Sequence, residues 1–303
     1  MTIKEKWRKL TAGGLALTLL SGCQGVNRAY DPPVEAVATT ASDEEELEDV
    51  VIGRDTARLQ SALMEVVAQA QLANDYEEAA SANEFISVYY EDLDTGDILS
   101  LYPASYYPCS MVKLVCLAAV YDGIREGTIQ EDEVKDMLEA MIVISDNTSF
   151  NVLAQLAGPE RIKKVLKEAG TRKTVVNHGL LPGDAFFEGE PGEPDNTSTP
   201  DDLGRILKYI WTYPDEEIRQ KMLDLLERCE DDTALVQGLP EDDLVAHKTG
   251  WADDLYHDGA IVTEPDGSTY ILVVMTENTY LEEFAEVAQT VTDFRSTEVA
   301  DAD

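Results

Sequence analysis

The stretch AHKTGWADDLYHDGAIVTEPDGSTYILVVMTE, residues 246–277, breaks into three extended runs. AHKTGWAD, LYHDGAIVTE and TYILVVMTE are strand-like, and a Pro265-Asp266-Gly267 turn joins the last two. Strands joined by so short a turn run antiparallel, because a parallel neighbour needs a long crossover. Far upstream, FISVYYEDLDTGDILSLY (residues 85–102) alternates about a DTGD turn and predicts a β-hairpin.

Between these strand regions the periodicity is helical. Leu59, Leu63, Val66, Val67 and Ala70 predict a helix over 55–76 that precedes the hairpin. Further helices are expected over 110–126, 131–144 and SDNTSFNVLAQLAG (145–158), where Ser145 or Asp146 suits the N-cap. PERIKKVLKEAG (159–170) opens on proline and closes on glycine. Helices over 199–213 and 214–229 carry acids in their first turns, and a last helix is expected near 281–294. Residues 171–199 form a long Gly/Pro/Asp-rich loop, long enough to be functional or a lid. Strands at both ends with helices between them predict an α/β (α+β) fold: a hairpin-connected antiparallel sheet divided by a helical insertion. The folded body is expected over 55–296, its α/β part at about 55–109 and 200–296 and its helical part at about 110–199.

The chain has 303 residues, 44% apolar, with 60 Asp plus Glu against 23 Lys plus Arg. A surface so acidic repels phosphate backbones, so nucleic acid is not an expected partner. Lys4, Lys6, Arg8 and Lys9 followed by an apolar run from Leu10 to Leu20 form a secretory leader, residues 1–23. Its LSGC ending resembles a bacterial lipobox, which implies lipidation at Cys23 and an anchor on the outer face of the cytoplasmic membrane. Residues 24–54 read as a disordered acidic tether and 297–303 as an acidic tail. Cys109 and Cys116 would stand about 10 Å apart on a helix, too far for a disulfide. With Cys229 they show no metal-ligand spacing, so neither a metal nor a cofactor is expected.

Three short motifs remain. Ser110-x-x-Lys113 is weak alone, since such a pair arises about once by chance in a chain this long. Ser145-Asp146-Asn147 and Lys248-Thr249-Gly250 each have a chance expectation of roughly 0.05. A serine hydroxyl needs a base, and no GxSxG elbow is present. His178, His247 and His257 supply no motif and read as structural. Lys113 lies one helical turn from Ser110 on a core-facing surface, where desolvation and the charge of Lys248 lower its pKa. The pair therefore reads as a nucleophile with its general base.

The three motifs, in this order, resemble those of the class A β-lactamases and penicillin-binding proteins, from about Phe85 to Phe294. The resemblance implies a five-stranded antiparallel sheet flanked by helices plus an all-helical subdomain. It also implies that Ser145 relays a proton to the leaving nitrogen and that Asn147 holds the substrate's amide side chain. Lys248 and Thr249 would bind a carboxylate, and Gly250 would let the ligand lie along the strand. The oxyanion hole would come from the backbone N–H groups of Ser110 and Trp251. The substrate would be a β-lactam or a peptidoglycan stem peptide, and a monomer is expected. Asp195-Asn196-Thr197-Ser198-Thr199-Pro200 matches the end of the family's loop, but its upstream ExxLN, whose glutamate activates the deacylating water, is missing. Glu188, Glu190 and Glu193 read as solvated acids. Slow deacylation is therefore expected. The alternatives are a D-Ala-D-Ala-type peptidase and a non-catalytic envelope binding lipoprotein.

Overall fold

The computed structural model of the protein describes residues 54–73, 85–180, 195–277 and 281–301. The leader, Cys23, most of the tether and the loop acids Glu188, Glu190 and Glu193 lie outside the described residues. Helix α1 spans Arg54–Ala73, and the hairpin is β1 (Phe85–Asp92) and β2 (Ile98–Leu101). A 3-10 turn, Cys109–Met111, leads into α2 (Val112–Arg125). Then come α3 (Glu131–Val143), α4 (Asn147–Ala157) and α5 (Pro159–Glu168). After the long loop follow α6 (Pro200–Trp211) and α7 (Glu216–Glu227). Strands β3 (Leu244–Ala252), β4 (Leu255–Thr263) and β5 (Thr269–Glu277) precede α8 (Glu282–Asp301).

The five strands form one sheet in the order β2-β1-β5-β4-β3, with every pairing antiparallel. The expected fold is therefore present. The terminal helix is longer than expected and continues to Asp301, into the segment read as an acidic tail.

Strand alternation divides the core. Val88, Tyr90, Leu272, Val274, Ala260 and Val262 face α1 and α8. Tyr89, Ile271, Val273, Met275 and Ile261 face the helical body. Helix α6 packs on this second face against β1, β4 and β5. It approaches closely at Gly204, where a Cβ would stand 2.2 Å from the Tyr89 ring. Arg295 fastens α8 to the sheet through Asp92 (2.6 Å) and Glu264 (2.5 Å).

Helix α2 is buried from Val112 to Gly123, an all-round core helix rather than an amphipathic one. The long loop is fastened at both roots. Asp202 accepts the backbone N–H groups of Arg172, Lys173 and Thr174, and Asn196 accepts those of Asn177 and His178. Asn151 exchanges two hydrogen bonds with the Leu180 backbone. These buried polar residues satisfy backbone groups that the loop's irregular path leaves without ladder partners.

Candidate active site

Ser110 is not in the α-helix proper. It lies in the 3-10 turn, after Cys109 in the left-handed region (φ 51°). That bend presents a half-buried Ser110 at the head of α2, while Lys113 on the first turn is fully buried. Ser145 also has a left-handed backbone (φ 59°), and Asp146, not Ser145, caps α4 by accepting from Thr148 and Ser149. Backbone strain of this kind costs on the order of 1–3 kcal/mol at a non-glycine residue and collects at functional sites.

The two motifs converge on one nitrogen. Lys113 Nζ stands 2.8 Å from Ser110 Oγ, 3.0 Å from Ser145 Oγ, 2.7 Å from Ser145 O and 2.7 Å from Asn147 Oδ1. Ser145 O and Asn147 Oδ1 only accept, so they take both N–H groups of a neutral amine. The lone pair is then left for the Ser110 hydroxyl proton. Burial, and then the charge of Lys248, lower the Lys113 pKa to about 7, against the opposing pull of Asp146. The amine is thus a base near neutral pH, one hydrogen bond from the nucleophile.

Strand β3 closes the site from the sheet side. Lys248 is fully buried and donates to Thr249 O (2.8 Å). Burial lowers its pKa, while Cys229, Asp258 and Asp231 pull the other way. Thr249 Oγ1 donates to Asp231 Oδ2 (2.9 Å). Its single proton is therefore committed to the Asp231 carboxylate in this structure. Asp231 carried no motif in the sequence. Only its place after α7 and before the KTG strand could have suggested it.

Gly250 has a reason beyond ligand access. A Cβ there would stand 2.8 Å from Ser110 N, 3.0 Å from Met111 N and 3.1 Å from Pro108 O. Glycine lets the strand backbone abut the nucleophile's turn. Trp251 follows, 65% exposed and paired with Tyr256 across the β3–β4 hairpin.

Two of the three histidines read as structural are buried around this site. Thr276 N donates to His257 Nδ1 (3.3 Å), so His257 Nε2 carries the proton and donates to Tyr107 O (2.9 Å), steadying the segment before Ser110. Burial pushes its pKa down to about 4. His247 pairs with Asp258. His178, in the loop, bonds Asp195 (2.5 Å) and stacks on Tyr107. Among the described residues no cluster of three or more His, Cys, Asp or Glu could hold a metal ion.

The chain matches the Beta-lactamase enzyme family over residues 133–294, just over half its length. It is 32% identical to a beta-lactamase of Bacillus licheniformis over 149 residues, 47% of each chain. It is 27% identical to a beta-lactamase of Streptomyces fradiae over 199 residues, 63% of this chain and 62% of that one. The matched spans thus cover about half to three fifths of these curated relatives. Among solved structures, a PBP-A mutant held as an acyl-enzyme complex with penicillin G has a TM-score of 0.65 at 23% identity, covering 80% of this chain and 97% of that one. An ancestral class A beta-lactamase (GNCA) has a TM-score of 0.62 at 22% identity, covering 78% and 99%. These two likenesses carry the fold. With the family match, the convergence of the Ser-x-x-Lys and Ser-Asp-Asn motifs on Lys113 Nζ and the Lys-Thr-Gly strand set against the Ser110 turn, the conclusion is that the chain belongs to the Beta-lactamase enzyme family.

Proposed function

We propose that the protein is a serine hydrolase that β-lactam amides acylate at Ser110. The observation that carries this reading is the buried Lys113 amine 2.8 Å from Ser110 Oγ, its pKa lowered by burial and by Lys248 to about 7. Lys113 takes the hydroxyl proton as the serine oxygen attacks the lactam carbonyl. The charge that develops on the carbonyl oxygen goes to the backbone N–H groups of Ser110 and Trp251. The C–N bond then breaks, and Ser145 Oγ, 3.0 Å from Nζ, passes the proton to the leaving nitrogen. Lys248 draws the substrate carboxylate, and Asn147, bonded to Lys113, sets the amide side chain beside the base. The similar proteins named beta-lactamase and the penicillin-bound relative support this choice of substrate.

Deacylation is slow on this reading, because the loop upstream of Asp195-Asn196 lacks the family's glutamate pattern. The same lack favours a second reading, cleavage of peptidoglycan stem peptides by the same serine. The leader pattern supports a lipid anchor at Cys23 and a place on the outer face of the cytoplasmic membrane.

Intact-protein mass after mixing with penicillin tests acylation. The expected result is a lasting gain of one β-lactam on the wild type and none on Ser110→Ala. No gain on the wild type would refute acylation. Turnover of a chromogenic cephalosporin at ordinary enzyme rates would refute slow deacylation, and cleavage of a stem pentapeptide without β-lactam turnover would establish the second reading.

A further inference from the structure

Three hydroxyls converge on Asp231, a half-buried acid in the segment between α7 and β3. Thr249 Oγ1 and Tyr256 Oη donate to its Oδ2 at 2.9 and 3.0 Å, and Thr233 Oγ1 donates to its Oδ1 at 2.6 Å. Burial alone would raise the pKa of such a carboxyl, but the hydrogen bonds from Thr233, Thr249 and Tyr256 outweigh it and keep the group ionised. A carboxylate only accepts, so the Thr249 proton is aimed at Asp231 and away from any ligand.

This reverses the part that the family resemblance gives to Thr249. With its proton spent, the hydroxyl has only lone pairs to offer, and it meets a ligand as an acceptor. Lys248, the preceding residue on the edge strand β3, has the opposite character. Its Nζ donates to Thr249 O (2.8 Å), the one hydrogen bond that this nitrogen makes among the described residues, so further N–H groups remain to be given. Gly250 holds this stretch of strand against the nucleophile, since a Cβ there would stand 2.8 Å from Ser110 N. The strand edge beside Ser110 therefore carries a donor and an acceptor on adjacent residues. A carboxylate suits only the donor. At Thr249 it sets lone pair against lone pair, with the Asp231 charge directly behind. A carboxamide suits both, because its oxygen accepts from Lys248 while its N–H donates to Thr249 Oγ1. Lys248 and Thr249 are both buried, so a mismatched polar group there is not rescued by water.

We propose that Asp231 makes this subsite selective for a substrate that presents a carboxamide, not a free carboxylate, to Lys248 and Thr249. The substrate class is a lactam or peptide whose carboxyl group is capped as a primary amide. The inference deepens the acyl-enzyme reading and rests on it for the attack at Ser110: Lys248 alone would draw either group, and Asp231 decides between them. Asp231 is a positioning residue, acting through the Thr249 hydroxyl.

The test sets benzylpenicillin against its primary carboxamide on the full chain, wild type and Asp231→Asn, with each acylation rate read by intact mass. The readout is the amide-to-acid ratio of second-order rates, in which a general loss of folded protein cancels. Asp231→Asn removes the charge and frees the Thr249 proton, and the ratio is expected to fall at least about tenfold from the wild-type value. An aspartate that merely ties the segment to the sheet would slow both probes alike, so equal ratios in the two proteins would overturn the proposal. Ser110→Ala, which cannot be acylated, supplies an arm that needs no change at Asp231. Calorimetry should show it binding the carboxamide more tightly than the acid, and the reverse order, equal affinity or no binding of either would overturn the proposal. If the wild type gains mass from neither probe while Ser110→Ala still prefers the carboxamide, the acyl-enzyme reading fails and the subsite stands.

Discussion

At Ser145 two demands collide. The hydroxyl and the carbonyl both reach Lys113 Nζ, and a left-handed backbone (φ 59°) is what points them there. Ser145→Gly should therefore be more stable than Ser145→Ala by about 1 kcal/mol, because glycine relieves the strain that alanine keeps. Both should lose most acylation by penicillin. Paired denaturant melts check the first claim, and equal stabilities would show that the backbone is not strained. Lys248→Met should raise the pH at which acylation reaches half its maximum, since the positive charge that lowers the Lys113 pKa is gone. A fluorescent-penicillin pH series reads this directly. The serine and lysine roles were legible because fixed spacings carry them. Asp231 was not, since one acid among sixty Asp and Glu gives no signal until folding sets it 2.9 Å from Thr249. The bond between Asn147 and Lys113 was likewise invisible, because the two are 34 positions apart.

Elements were more legible than their junctions. Strand-like runs between turn residues and helical periodicity located every described α-helix and β-strand, although β4, β5 and α2 are enclosed almost throughout and show little alternation in their burial. The turn at Cys109–Met111 escaped, and Ser110 read as helical, because a left-handed cysteine has no composition signature. The loop anchors Asn151, Asn196 and Asp202 escaped for a related reason: each satisfies backbone groups brought near only by the tertiary fold. Strand β3 and the nucleophile's turn form the contact on which the site depends. Gly250→Ala would force a methyl against Ser110 N, Met111 N and Pro108 O, all backbone atoms that cannot rotate away. The expected cost is roughly 1–3 kcal/mol of stability, with acylation reduced at least about tenfold. A variant that melts and labels like the wild type would show that the strand and turn have room to part.

Across the whole molecule the site exists only where the two halves meet. Ser110, Lys113, Ser145 and Asn147 come from the helical side, and Lys248 comes from the edge of the sheet. His257, fully buried on β4, ties the sheet to the segment before the nucleophile. Its folded pKa of about 4 lies below that of a solvated imidazole, so the unfolded chain takes up the proton first as pH falls. This contribution is full above about pH 6.5 and is lost toward pH 4, by up to about 3 kcal/mol. Urea melts at pH 7 and pH 4.5 should show the wild type losing more stability than His257→Asn. Equal losses would mean that His257 does not titrate on unfolding. The central claim is the neutral amine at Lys113, and the pH dependence of the second-order rate of Ser110 acylation by a fluorescent penicillin tests it most directly. The predicted rate rises with pH to a plateau, half-maximal near 7, and vanishes in Lys113→Ala. A rate that is flat across this range, or that rises only near pH 10 as for a solvated lysine, would contradict it.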